Sequence, residues 1–314
     1  MTTVFFVVPC YNEEEVLSET AKRLLAKITD LIESKKISTE SRILFVDDGS
    51  HDKTWEIISR LHDSSEYFCG LKLSHNRGHQ YALQAGLITV KEFCDCAISL
   101  DADLQDDIEV IDQFIENFHN GSDIVYGVRS KRETDTKFKK HTALMFYKLM
   151  KFLGVDIVYN HADYRLMSKR ALEAFSEYKE HNIFIRGIIP LIGFKSSTVF
   201  YERHERFAGK SKYPFKKMLS FAFEGITSFS VKPLRLISSV GVIISILSIF
   251  ALLYILISKI FGSVVAGWAA TTSSIWLLGG IQLLCLGVLG EYVGKIYSEV
   301  KARPNYIIEK FLKK

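Results

Sequence analysis

The sequence predicts an α/β fold: a doubly wound, mostly parallel sheet, then interfacial helices and two C-terminal transmembrane helices. Three observations carry this. Short apolar runs alternate with helix-period runs from Val4 to Tyr126. A polar cluster follows several of the apolar runs, where the carboxyl ends of strands would lie. Two apolar runs near the end of the chain are each long enough to cross a bilayer as a helix, which takes roughly 20 residues.

In order, Val4-Phe5-Phe6-Val7-Val8 reads as a buried strand. Glu13 to Glu33 has helical spacing through Val16, Leu17, Leu24, Leu25 and Ile28. Ile43 to Val46 is a second strand, Thr54 to Leu61 a helix, Gly70 to Leu73 a third strand and Gln80 to Val90 a helix. Cys96 to Leu100, Ile108 to Phe118 and Asp123 to Tyr126 continue as strand, helix and strand. Such alternation argues for parallel pairing, with ligands bound beyond the carboxyl ends of the strands. Lys137 to Gly154 then gathers Phe138, Met145, Phe146, Leu149, Phe152 and Leu153 on one helical face among five lysines. This fits a helix on an anionic membrane surface, or one packed on the sheet with a solvated basic edge. Tyr213 to Lys232 is similar and leads into the first apolar run.

That run, Leu236 to Ile257, carries no charge; the second, Ile275 to Val293, is apolar until Glu291. Lys232 and Arg235 precede the first, while Lys295, Lys301 and Arg303 follow the second. Ile260 to Ser274 between them has no charge. The asymmetry predicts a hairpin with both ends in the cytoplasm. The expected division is 1–212 catalytic, 213–234 interfacial, 235–294 hairpin and 295–314 cytoplasmic tail. The N-terminus lacks a basic region before its first apolar run, so no cleavable signal is expected. Five cysteines, an odd number, suit free thiols in a reducing compartment. A net charge of +4 without an aromatic-basic motif gives no argument for nucleic acid.

The strongest chemical signal is Ala97-Ile98-Ser99-Leu100-Asp101-Ala102-Asp103-Leu104-Gln105-Asp106. An apolar run ends in two aspartates one residue apart. If the strand continues, both point the same way. Hard oxygen ligands suit Mg²⁺ or Mn²⁺ with positions left for phosphate oxygens; a solvated acidic turn opening the next helix is the plainer alternative. Three clusters join it. In Pro9-Cys10-Tyr11-Asn12-Glu13, Tyr11 offers a face for a base and Glu13 an acceptor for a ribose, or Asn12 caps the next helix. In Asp47-Asp48-Gly49-Ser50, a strand-end carboxylate can accept a base N–H. In Asn76-Arg77-Gly78-His79, Gly78 permits a tight turn and Arg77 could meet phosphate.

In this order the motifs resemble the family-two glycosyltransferases of GT-A fold. More narrowly they resemble the polyprenyl-phosphate glycosyltransferases, which include dolichol-phosphate mannose synthase and the bactoprenol glucosyltransferases. The likeness extends through Tyr126-Gly127-Val128-Arg129, Ala162-Asp163-Tyr164-Arg165 and Arg206-Phe207-Ala208-Gly209-Lys210-Ser211-Lys212. Relatives often show Gly-Asp-Phe-Arg at the second of these. The resemblance implies that Pro9, Tyr11, Glu13, Asp48, Asp101 and Ala102 hold the nucleotide sugar. It implies that Asp101, Asp103 and Gln105 bind Mg²⁺ or Mn²⁺ with the diphosphate. Arg129, Arg132, Arg206, Ser211 and Lys212 would hold phosphate oxygens, and Asp163, Arg206 and Lys212 would serve catalysis. The implied reaction moves a hexose, most simply glucose from UDP-glucose, to undecaprenyl phosphate at the bacterial plasma membrane, with inversion. UDP-GlcNAc, UDP-galactose and GDP-mannose are the alternative donors. A membrane-anchored nucleotide-binding scaffold is the rival of another class. A processive synthase is disfavoured because Gln-x-x-Arg-Trp is absent. The sequence leaves a homo-oligomer open.

Overall fold

The computed structural model describes residues 1–103, 105–130, 161–181, 183–202, 232–260 and 267–314. The chain forms two compact units: Met1–Lys148 with Asp156–Pro214 and Arg303–Lys314, and Leu149–Val155 with Phe215–Ala302.

Among the described residues the first unit is built on eight strands: β1 (Val4–Cys10), β2 (Arg42–Asp47), β3 (Phe68–Leu73), β4 (Cys96–Ser99), β5 (Ile124–Arg129), β6 (His161–Ser168), β7 (Ser196–Tyr201) and β8 (Ile308–Leu312). They lie in the order β7-β5-β6-β4-β1-β2-β3-β8. Around them run α1 (Leu17–Glu33), α2 (Thr54–Ser64), α3 (His79–Val90), α4 (Ile111–His119, after a 3₁₀ turn at Ile108–Val110), α5 (Lys169–Ser176) and α6 (Ile185–Leu191). β1 is buried along its whole length, as a central strand covered on both faces must be. Val4, Phe6, Val8 and Cys10 share one core layer with Leu17, Ala21, Leu24 and Ile28 of α1. Val7, with Leu44 and Val46, meets α3 at Gly86 on the other face. Each such fully buried large side chain contributes roughly 1.5–3 kcal/mol.

The first five strands appear in the expected order. The sheet is mixed, however, rather than mostly parallel: β6 runs antiparallel to both β4 and β5, and β8 antiparallel to β3. These strands escape a periodicity reading because they are polar. β6 is His-Ala-Asp-Tyr-Arg-Leu-Met-Ser, and β8 is Ile-Glu-Lys-Phe-Leu. Helix α1 starts at Leu17 instead of Glu13 because Asn12 takes a left-handed φ of 52° and turns the chain first. β4 stops at Ser99, so Asp101 to Asp103 is a turn, and strand alternation does not aim the two aspartates.

The second unit holds α7 (Lys232–Ile260) and α8 (Trp268–Lys301), which contain the two apolar runs. Leu247, Phe250 and Tyr254 of α7 and Leu277, Leu283 and Leu286 of α8 are all more than 60% exposed, a surface unlike that of a water-facing helix. Against the two spans expected, one segment among the described residues, Leu277–Lys301, is long and apolar enough to cross a membrane. Ala302 ends α8 with a left-handed φ of 46°. The chain then rejoins the first unit, where the segment expected to be a tail supplies β8. Lys137 to Gly154 and Tyr213 to Val231 lie outside the described residues.

Candidate active site

The loops after β1, β2 and β3 are tied into one rim. The Asn12 amide N–H donates to Ser50 Oγ (3.0 Å), and Asn12 Oδ1 accepts from the His51 N–H (2.9 Å). Asn12 is therefore a loop clip; the residue before α1 is Val16, with no side-chain cap. Gly49 has a φ of +65°, and a Cβ there would sit 2.5 Å from the His75 carbonyl carbon. Only glycine lets the β2 loop pass so close to the β3 loop. Asp48 is buried, and its oxygens accept the N–H groups of Arg77 and Gly78 at 2.8 Å each. Burial raises its pKa, and these two amide bonds oppose the rise. Gly78, with φ +99°, turns both amides toward it. Asp48 thus organises the Asn-Arg-Gly turn, while Asp47, beside it, keeps a buried Oδ2 with no hydrogen-bond partner among the described residues. Pro9 is buried within β1, and Tyr11 and Glu13 are half-buried in the loop beyond it. The Arg77 guanidinium is committed to protein: Nε donates to the Asn305 carbonyl (2.7 Å) and Nη2 to the Pro304 carbonyl (2.9 Å).

The centre of the site follows from sheet register. β4 and β6 pair antiparallel with Ser99 opposite Arg165, so two residues further on Asp101 comes to Asp163. His79, the first residue of α3, stands between them, with Nε2 3.7 Å from Asp101 Oδ1 and 3.5 Å from Asp163 Oδ2. Arg165 Nη2 reaches Asp163 Oδ1 at 2.6 Å, and Arg186 Nη2 of α6 reaches Asp163 Oδ2 at 2.9 Å. Burial alone would raise the Asp163 pKa. Arg186, the hydrogen bond to His79 and Arg165 overcome it and hold the carboxyl well below its ordinary range. Burial likewise opposes the charged form of His79, but the bond to Asp163 and the charge of Asp101 lift it to about 8. Asp101 moves the other way. Its enclosure and the charges of Asp163 and Asp103 raise it, against His79 and Arg186.

A second group flanks this one. Tyr201 donates to Asp106 Oδ1 (2.6 Å), and Arg129 Nε to Tyr201 Oη (3.3 Å), with Arg129 Nη2 3.8 Å from Asp106. Burial and the charge of Asp101 push Asp106 up to about 6. Among the described residues its buried Oδ2 has no hydrogen-bond partner. Asp103 Oδ1 accepts from the Gln105 N–H (3.2 Å), and the buried Ala102 gives its carbonyl to Thr20 (2.7 Å). Mutually repelling carboxylates with one orphaned oxygen are a donor set that suits a divalent cation. Among the described residues no three His, Cys, Asp or Glu side chains are grouped closely enough to enclose one. The set therefore fits an ion held by one or two carboxylates and completed by diphosphate oxygens.

Residues 5–175 match the family described as Glycosyl transferase family 2. The chain belongs to that family. It is 56% identical over 303 residues to "Uncharacterized glycosyltransferase YkoT" of Bacillus subtilis (strain 168), covering 96% of this chain and 90% of that one. It is 41% identical to the "Prophage bactoprenol glucosyl transferase homolog" of Escherichia coli (strain K12), covering 99% of both chains. It is 40% identical to the "Bactoprenol glucosyl transferase" of Shigella phage SfII, covering 98% and 97%.

This family-two glycosyltransferase thus brings Asp101, Asp103, Gln105, Arg129 and Asp163 to one end of its sheet. Arg132, Arg206, Ser211 and Lys212 lie outside the described residues. The sequence points to no role in the site for His79, Arg186 or Tyr201, and offers Asp106 only as an acid opening the next helix. His79 was within reach, since it follows a turn motif at the start of a helix. Arg186 arrives from a distant helix and carries no local signal.

Proposed function

We propose that this glycosyltransferase moves a hexose, glucose from UDP-glucose foremost, to undecaprenyl phosphate at the cytoplasmic face of the bacterial plasma membrane. The observation that carries the reading is the similarity to bactoprenol glucosyl transferases over 98–99% of this chain. That likeness includes the apolar helices, which a soluble sugar transferase would not need.

The acceptor phosphate, with a second pKa of about 6, is largely dianionic near neutral pH. Its oxygen attacks the anomeric carbon, the bond from that carbon to the donor diphosphate breaks, and the configuration inverts. No strong base is required. Asp163, pinned by three cationic side chains, is a poor proton acceptor and acts as an orienting anchor. Arg129, Arg206, Ser211 and Lys212 would hold phosphate oxygens, the arginines through paired N–H donors. Asp101, Asp103 and Gln105 would hold Mg²⁺ or Mn²⁺, which when bound supplies Lewis-acid stabilisation to the leaving diphosphate.

A two-crossing hairpin is supported by chain parity. Residues before and after the apolar helices belong to one compact unit, with β8 hydrogen-bonded to β3. A single crossing would separate them across the membrane. The flanking cations agree with cytoplasmic ends. In a cysteine-free background, Gly262→Cys should react with an impermeant external thiol reagent in sealed cells, and Lys314→Cys should not. External labelling at position 314 would refute the hairpin.

The function itself is tested by incubating the purified protein with each sugar nucleotide, with and without undecaprenyl phosphate. Release of UDP and formation of a glycosylated lipid, both dependent on lipid phosphate, are expected with UDP-glucose. No turnover of any donor under both conditions would favour the scaffold reading.

A further inference from the structure

We propose that Asn305, on the segment that follows α8, is a positioning residue for transfer that holds the approach to Asp163 in its working conformation. This rests on the proposed transfer reaction.

Asn305 is half-buried, and its side chain joins three parts of the first unit. Nδ2 donates to the Glu180 carbonyl (3.0 Å) and lies 3.4 Å from Gln84 Oε1 of α3. A carbonyl can only accept, so the amide orientation is fixed, and His181 Nδ1 must be the donor to Asn305 Oδ1 (3.1 Å). The Asn305 backbone carbonyl takes Nε of Arg77, whose own amide holds Asp48. The His181 carbonyl accepts from Tyr81 Oη of α3, and the Ile185 N–H donates to Gln80 Oε1 (3.1 Å). The next residue is Arg186, which grips Asp163 through Nε and Nη2 at 3.2 and 2.9 Å.

The consequence is a short mechanical chain. Asn305 fixes Glu180 and His181 against α3, and that stretch delivers Arg186 to Asp163. The same helix begins with His79, another partner of Asp163 beside Arg165. The side chain of Asn305 therefore bears on the acceptor-orienting cluster, while its backbone bears on the Asp48 turn. The side chain and backbone roles are separable by mutation. Asn305→Ala removes the first and keeps the second, because Arg77 binds backbone carbonyls.

The test uses the full-length protein in lipid nanodiscs. Asn305→Ala should lower kcat roughly tenfold to a hundredfold, the range expected when a supporting contact shifts reacting groups. The UDP dissociation constant should stay within about twofold, since only uniform binding would change it. Hydrogen exchange at Ile185 and Arg186 should quicken, a readout that needs no turnover and so stands even if the donor or acceptor has been misassigned. Glu309→Gln, which breaks only the exposed Lys72–Glu309 pair on the same segment, should leave both rate and exchange unchanged. The proposal is overturned if Asn305→Ala transfers at the native rate. It is overturned equally if kcat, UDP affinity and thermal stability fall together, which would mark Asn305 as merely structural, or if exchange at Ile185 and Arg186 is unaltered.

Discussion

Asp103→Ala should abolish transfer and leave the protein as stable as before, or more so. The two halves of this prediction come from one feature. Asp101, Asp103 and Asp106 repel one another, and the charge of Asp103 contributes to the raised pKa of both its neighbours. Without a cation the cluster is strained, so deleting one carboxylate relieves it. With a nucleotide diphosphate bound, the same deletion removes a ligand for the ion that offsets the leaving group's charge. Losing one preorganised charge-stabilising group typically costs about 10²–10³ in rate, and losing the ion itself costs several kcal/mol. Initial rates with UDP-glucose and thermal melting of the metal-free protein would check the two halves separately. Excess chelator should silence the native enzyme, and Mg²⁺ or Mn²⁺ should restore it. Full turnover in chelator would remove the metal from the mechanism.

The sequence carried the half of the sheet whose strands are apolar, and with it the loops that form the rim. β1, β2 and β4 are legible because a central strand must be apolar on both faces. β6 is not, because its core residues Tyr164, Leu166 and Met167 are interleaved with the buried polar Asp163, Arg165 and Ser168, which breaks the apolar run. β8 is not, because an edge strand of Ile-Glu-Lys-Phe-Leu resembles a solvated tail. The same division holds in the site. Asp101 and Asp103 stand together in the sequence and were found as a motif, although a turn, not strand alternation, presents them. The turn offers Arg77 to a phosphate, whereas its guanidinium donates to carbonyls more than 200 positions away. The motif offers Asp48 as an acceptor for a base, and the structure adds a long-range task, since each of its oxygens also accepts a backbone N–H from a neighbouring loop. Local motifs report which groups a site contains. Which of them are spent on holding one another depends on long-range pairing, to which no spacing rule applies.

Asp163→Ala should be the most destabilising single substitution in the site. Arg165 has no solvent exposure, and its Nη2 lies 2.6 Å from the almost fully buried Asp163 carboxylate. Removing one partner of a buried pair leaves the other charge uncompensated and typically costs about 3–5 kcal/mol. That is a large share of a domain's total of about 5–15 kcal/mol. Adding Arg165→Met to Asp163→Ala should recover much of the loss, because an apolar side chain tolerates the site that an orphaned guanidinium does not. Activity should not return with it. The pH dependence follows from the signs. The folded pKa of Asp163 is depressed, so its contribution is present above its unfolded value of about 3.9 and lost only as pH falls through the lower folded one. His79 is raised to about 8. Its contribution is complete below the unfolded value of about 6.5 and lost as pH rises through the folded one. Melting temperature of the metal-free native protein should therefore decline as pH rises through 8, modestly, since His79 is one-third exposed. In Asp163→Ala that decline should flatten, because the hydrogen-bond partner of His79 is gone. Equal melting temperatures for native and variant across this window would show that the buried cluster contributes nothing to stability.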